Sequence, residues 1–282
     1  MQLGIRLHDT QALPFEERIA RVHALGFACG HLALSKMKDA DGNMLPAAPE
    51  SLTPGYAAYL RNIFAKNQVD IAVLGCYLNL AHPDPAELLK ITDKYIAHLR
   101  FASLLGAGVV GTETGAPNAE YRSCPECRSE EALQTFITNL RPVVAAAERF
   151  GVILAIEPVA KHIVWGPRRA RQVLDEIESP NLQIIFDPVN LLDRENFGRR
   201  EEIFAETIDL LGKDIAMIHL KDFQVGETEL KSVGCGLGEM DYTQVLRFAK
   251  ERKPFIHATL ENTCPENALQ CAAHIRKIYD SL

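Results

Sequence analysis

The sequence predicts an α/β fold, a single (β/α)8 barrel spanning residues 1–282, and three observations carry that prediction. Short apolar runs alternate strictly with longer amphipathic stretches, with no second strand pattern between them, which argues for a parallel sheet covered by helices. There are eight such runs, and eight β-α units in roughly 250 residues describe a closed barrel that folds as one unit. No GxGxxG follows the first run, so an open dinucleotide-binding sheet lacks its main signal.

The first run, Leu3–Leu7, leads into a helix over Phe15–Leu25 with Ile19, Val22, His23 and Leu25 on a repeating face. His31–Leu34 is the second strand, and Pro54–Asn67 the helix after it. Thr53 stands as N-cap, with proline at the first helical position. Ile71–Cys76 precedes a long helix over Ala86–Leu105. Val109–Thr112 precedes another over Ser129–Phe150. Gly106 and Gly151 stop these two helices. Val152–Glu157, Gln183–Asp187 and Ala216–His219 are the fifth, sixth and seventh strands. Their helices are Pro167–Ile177, Arg199–Leu211 and Tyr242–Arg252. Phe255–Glu261 and a helix over Pro265–Tyr279 complete the chain, with Asp241 and Thr263 as the caps of the last two helices. The strands are rich in Val, Ile, Leu and Phe, as strands buried on both faces must be. The long insertions, Ser35–Thr53, Glu113–Arg128 and Asp222–Asp241, all follow strands, and in a barrel those loops line the face that holds the active site.

Composition narrows the function. The net charge of −7 leaves no basic footprint for nucleic acid. No apolar run reaches the roughly 20 residues of a membrane span. The opening MQLGIRLHDT reads as a strand and not as a leader. Seven scattered cysteines imply reduced thiols, and the expected location is the cytoplasm.

Four strand ends carry a polar residue that an apolar strand does not choose: ILAIE ends in Glu157, QIIFD in Asp187, AMIH in His219 and ATLE in Glu261. One of these alone reads as a cap, a salt-bridge partner or a hydrogen-bonded core histidine. The same event at four successive strand ends does not, because neighbouring barrel strands bring the four to one point at the mouth. Three crowded carboxylates resist ionising together, and a divalent cation removes that penalty. Three oxygen ligands and one imidazole favour Mn or Mg, with Co, Fe and Zn compatible. The expectation is one such ion and no nucleotide cofactor.

The runs IEPVAKHIVWG, NLQIIFDPVNLL, IHLKD, GCGLGEMDY and TLENT resemble the xylose isomerase-like barrel superfamily of sugar isomerases and epimerases, most closely from Gly151 to Thr263. The resemblance implies that Glu157, Asp187, His219 and Glu261 bind the metal. It further implies that Glu157 and Glu261 act as acid/base groups on opposite faces of a sugar. Several relatives have a histidine where this chain has Asn190, and the asparagine argues for a single ion. Such barrels are commonly homo-oligomers, so that state is expected.

Further residues are candidates for substrate contact because they follow strand ends: His82, Glu113, Lys161, His162, Asn190, Lys221 and Asp222. Thr114 and His8 stand in similar places. Trp165 offers a platform for a sugar face, though helix packing explains it as well. Cys124 and Cys127 form a CxxC with no second pair to complete a zinc site. Gly234–Gly238 lacks the GK[ST] ending of a phosphate loop and reads as a turn past the site. With no phosphate clamp, the expected substrate is an unphosphorylated sugar or polyol.

The expected activity is isomerisation or epimerisation by proton abstraction next to a carbonyl, through an enediolate. The alternative on the same site is a lyase or dehydratase, acting on an inosose or a keto-glycoside. Resemblance also admits an endonuclease IV-like repair enzyme. That reading needs three zincs and more histidines, against Asn190 and an acidic chain.

Overall fold

In the computed structural model, which describes residues 1–282, the eight runs close into one parallel barrel. Its strands in chain order are β1 (Gln2–Arg6), β2 (Cys29–Leu32), β3 (Asp70–Gly75), β4 (Val109–Glu113), β5 (Ile153–Glu157), β6 (Leu182–Phe186), β7 (Ile215–Leu220) and β10 (His257–Leu260). β10 closes the ring between β7 and β1. The helices between them are α1 (Phe15–Ala24), α2 (Pro54–Lys66), α3 (Pro85–Leu105), α4 (Glu130–Phe150), α5 (Pro167–Ile177), α6 (Arg200–Leu211), α7 (Thr243–Arg252) and α8 (Ala268–Ser281). None is long and apolar enough to cross a membrane.

Local chemistry sets most of these boundaries. The Thr53 side chain accepts from the Tyr56 N–H at the start of α2, a cap contributing about 1 kcal/mol. Gly106 and Gly151 end α3 and α4 at φ of 84° and 67°, left-handed backbone that glycine adopts without a Cβ penalty.

Two apolar regions hold the barrel together. A cluster of 71 buried residues fills the layer between sheet and helices, whereas 6 residues (Cys29, Ala72, Val73, Ala155, Ile185 and Met217) plug the barrel interior. Most of the hydrophobic stabilisation therefore lies between the strands and the helices and not inside the barrel. The interior is tight: a Cβ on Gly111 would stand 2.7 Å from Ile185 Cδ1 and Val73 Cγ2.

Three expectations need correction. The loop after β7 is not free of strands: Asp222–Val225 (β8) and Leu230–Val233 (β9) pair as an antiparallel hairpin. Two four-residue, partly exposed strands leave little apolar periodicity to read. The last helix begins at Ala268 and not at Pro265, and Thr263 caps nothing. Asn262 takes left-handed backbone (φ 54°), and the Asn267 side chain accepts from the Cys264 N–H, so the chain turns before it coils. The second strand runs from Cys29 to Leu32, two residues earlier than expected, so His31 is its third residue and not its first.

Candidate metal centre

The four strand ends do converge. Glu157 is the last residue of β5, Asp187 the first after β6, His219 the next to last of β7 and Glu261 the first after β10. All four are buried. His219 is the hub: its Nδ1 lies 3.2 Å from Glu157 Oε2 and 3.3 Å from Glu261 Oε1. Ligand-type atoms gather in two overlapping triads that share His219, namely Glu157–Asp187–His219 and His31–His219–Glu261, each within 4.8 Å.

The chemistry of this cluster fits a cation. Three buried carboxylates face two fixed cations, Lys221 and Arg6, and taking a carboxylate out of water without neutralising it costs several kcal/mol. Lys221 Nζ lies 2.6 Å from Asp187 Oδ2 and 3.5 Å from Glu261 Oε2. Asp187 Oδ2 and His219 Nδ1 meet only these ion-pair partners, with no aligned hydrogen bond, and His219 Nε2 has no partner at all. An unpartnered buried ring nitrogen is rare and costly, and this one sits in the acid-rich cluster.

Charges within the cluster displace one another's protonation. Burial opposes charge on His219, but Glu261 and Glu157 outweigh it and raise the imidazole to about 9. Burial raises the Asp187 carboxyl to about 6, against the pull of Lys221. Glu261 is also penalised by burial, yet His219 and Lys221 hold it well below the usual carboxylate range. The same carboxylates hold Lys221 above its ordinary value despite its burial.

Hydrogen bonds fix the carboxylates in place. Asp187 Oδ1 accepts from the Val189 and Asn190 N–H groups, 3.0 Å each, which aims Oδ2 at the cluster. The Asn190 amide donates to Glu157 Oε1. Asn190 therefore touches a ligand candidate directly.

Three residues that sequence reasoning did not single out complete the centre. Arg6 reaches Glu261 Oε2 at 3.3 Å and donates to Asp9 at 2.9 Å. His31 Nδ1 lies 3.6 Å from Glu261 Oε1, and the Tyr77 hydroxyl meets His31 Nε2 at 3.0 Å. The β2–β3 register shifts between Gly30 and His31, an irregularity of the kind that re-aims a side chain. His31 then stacks parallel to His219 with centroids 5.2 Å apart.

The other candidates divide between mouth and scaffold. Glu113 is half-buried, with Tyr121 Oη 3.5 Å and His162 Nδ1 3.7 Å from its Oε2, and burial raises its carboxyl. His162 stacks on Tyr121, and burial lowers it to about 4. Lys161 is exposed and pairs with Glu229 at 3.2 Å, tying the loop after β5 to the hairpin. His82 accepts from the Asp84 N–H at the start of α3. Thr114 is buried and accepts from the Val164 N–H. His8 stands edge-on to His31, and burial and then Arg6 push it down to about 3. Trp165 carries the Arg128 guanidinium 5.1 Å from its ring, so its face is already occupied.

Asp222 does not join the centre. Its carboxylate accepts from Phe223 and Met240 N–H (2.8 Å each) and from Gly236 N–H (3.0 Å), which consumes it in holding the hairpin to the glycine-rich turn. That turn needs its glycines: a Cβ on Gly238 would stand 2.1 Å from the Phe223 carbonyl oxygen.

A cavity of about 600 Å³ opens beside the cluster, walled by the loops after β4, β5 and β6 and by the hairpin. Asn190 lines it while bonding Glu157, so this one side chain joins cavity and centre.

The family model of the xylose isomerase-like TIM barrel matches residues 19–278. No curated protein matches the chain by sequence. Among solved structures, a D-tagatose 3-epimerase-like protein superposes with a TM-score of 0.76 at 18% identity, over 100% of this chain and 98% of that one. The IOLI protein with a bound zinc atom gives 0.73 at 16%, over 100% and 99%. A probable 3-DHS dehydratase, AsbF from Bacillus anthracis, gives 0.73 at 14%, over 98% of each chain.

Proposed function

The chain belongs to the xylose isomerase-like TIM barrel family, and from that premise we propose that it is a divalent-metal-dependent sugar isomerase or epimerase. The substrate class is a small, unphosphorylated keto-sugar or polyol-type compound. The observation that carries this reading is the meeting of Glu157 and Glu261 at His219 Nδ1, with Asp187 completing a buried, acid-rich cluster.

Glu157, Asp187, His219 and Glu261 would hold the ion, and the zinc in a structurally similar protein is consistent with that. When bound, the ion supplies Lewis acidity for charge developing on a substrate oxygen, with Mn or Mg best matched to an oxygen-rich set. The protein's own groups do the rest. Glu157 and Glu261 are the two carboxylates placed to move a proton at the carbon beside the carbonyl, one removing it and the other returning it. Asn190 fixes Glu157 by donating to it. His219 and Lys221, with Arg6, keep Glu261 ionised, the state in which a carboxylate accepts a proton. Glu113 and His162 at the mouth are the side chains we assign to substrate hydroxyls.

The test is a panel of keto-sugars in heavy water followed by proton NMR. Loss of the signal beside the carbonyl, dependent on added Mn and accompanied by a new epimer or isomer, supports the reading. No exchange with any sugar and any metal overturns it.

A lyase or dehydratase on the same residues is the second reading. The likeness to a probable dehydratase points that way. An alkene or enol product in the same NMR experiment identifies this outcome.

A further inference from the structure

The Cys124–Cys127 pair lies outside the metal centre, and the proposed chemistry does not use it. Both thiols line the 600 Å³ cavity, in the loop after β4. They sit three residues apart around one short 3-10 turn, Pro125–Arg128, with Cys127 N–H donating to the Cys124 carbonyl at 3.1 Å. That turn brings the sulfurs to 3.7 Å. A structural metal is the first alternative for such a pair, and it requires at least a third ligand. No other histidine, cysteine or carboxylate contributes a ligand atom that would make these two part of a metal-type group.

We propose that Cys124 and Cys127 form a reversible dithiol–disulfide site on the cavity wall, which exchanges with small-molecule disulfides such as glutathione disulfide. Access assigns the roles. Cys124 is partly exposed, and its sulfur is fixed by the Asn118 amide at 3.4 Å, so it is the thiol an incoming disulfide meets. Cys127 is buried, which raises its thiol and keeps it from reacting with reagents in solution.

The exchange proceeds in two displacements. The Cys124 thiolate attacks one sulfur of the small disulfide, forming a mixed disulfide and expelling one small thiolate. The Cys127 thiolate then attacks the Cys124 sulfur, forming the protein disulfide and expelling the second small thiolate. The two protons released by the cysteines are taken up by the two departing thiolates, so two protein thiols are oxidised and one small disulfide is reduced to two thiols.

The structure also supplies a reporter. The residue after Cys127 is Arg128, whose guanidinium lies over the chain's only tryptophan, Trp165, at 5.1 Å. Drawing the sulfurs from 3.7 Å to a bond of about 2.05 Å moves the turn that carries Arg128, and with it the surroundings of the indole.

The experiment equilibrates the full-length protein in buffers of graded reduced and oxidised glutathione, quenches with acid, unfolds the chain and traps all free thiols with iodoacetamide, and maps the peptides by mass. The expected result is a single internal disulfide, Cys124 to Cys127, that forms and reverses with the buffer, with tryptophan fluorescence following the same titration. Cys127→Ser should instead stop at glutathione attached to Cys124. Cys124→Ser should leave Cys127 unmodified. Both thiols remaining alkylatable in fully oxidised glutathione, or a disulfide joining other cysteines, overturns the proposal. A Cys124–Cys127 disulfide that leaves the fluorescence unchanged overturns its link to the cavity wall. None of these readouts depends on the activity proposed above.

Discussion

The two halves of the barrel build the centre in different ways. From β5 to β10, four strand ends in succession deliver Glu157, Asp187, His219 and Glu261, each following an apolar run and each offering a ligand-type atom. From β1 to β3 come Arg6, His31 and Tyr77, and these address only Glu261 and its neighbour His219. The first group offers ligand-type atoms; the second adds a cation and an orienting imidazole at Glu261, whose charge His219 and Lys221 of the first group also hold. Glu261 thus sits among fixed cations, whereas Glu157 is held by the neutral amide of Asn190. Two carboxylates of like chemistry are placed in unlike surroundings, the arrangement that separates the two partners of a proton-transfer pair.

The largest expected effect comes from the carboxylates themselves. Glu157→Gln and Glu261→Gln should each lower kcat by about 10²–10⁴-fold, the usual contribution of a positioned acid or base, with an unchanged circular dichroism spectrum. Full activity in both variants removes them from proton transfer and breaks the comparison at its centre.

Next in size is Lys221→Met. In the metal-free protein this variant leaves Asp187 and Glu261 buried without their shared cation, a loss of about 3–5 kcal/mol by urea unfolding. Added MnCl₂ should recover a large part of that loss, because an ion bound only by the folded state stabilises it. A Lys221→Met protein as stable as the parent without metal shows that Lys221 does not balance the cluster's charge.

Asn190→Ala then tests the half of β5 to β10. Removing a residue that orients a ligand costs about 10–100-fold in metal affinity or activity, measurable by calorimetric titration with Mn. Tyr77→Phe tests the other half more gently. It keeps the ring and removes only the hydroxyl at His31, and about 10-fold or less in metal affinity is expected. A Tyr77→Phe defect larger than that of Asn190→Ala reverses the roles assigned to the two halves.

The same contrast explains what was legible in the sequence. A carboxylate ending an apolar run stands out, and all four members of the quartet were readable for that reason. Apolar periodicity and glycine stops located eight strands and eight helices, and α5 begins and ends at Pro167 and Ile177 as its pattern predicts. His31 read as the first residue of its strand and not as a strand end, and the irregularity in register beside it is something no periodicity records. Arg6 reads locally as the polar end of a strand; its partner Glu261 is 255 residues away in sequence. Asp222 misled in the opposite direction, since an acidic residue just past His219 resembles a site residue until its three backbone donors are seen. The hairpin was missed because short, half-exposed strands lack the apolar runs that marked the barrel.

Metal stoichiometry tests the central claim most directly. The protein is stripped with chelator and dialysed against Mn, and its metal content is measured by elemental analysis, alongside an Asp187→Asn/His219→Ala double variant confirmed as folded. The account predicts one divalent ion per chain in the parent and none in the double variant. A parent that retains no ion, or a double variant that retains one as firmly as the parent, contradicts it.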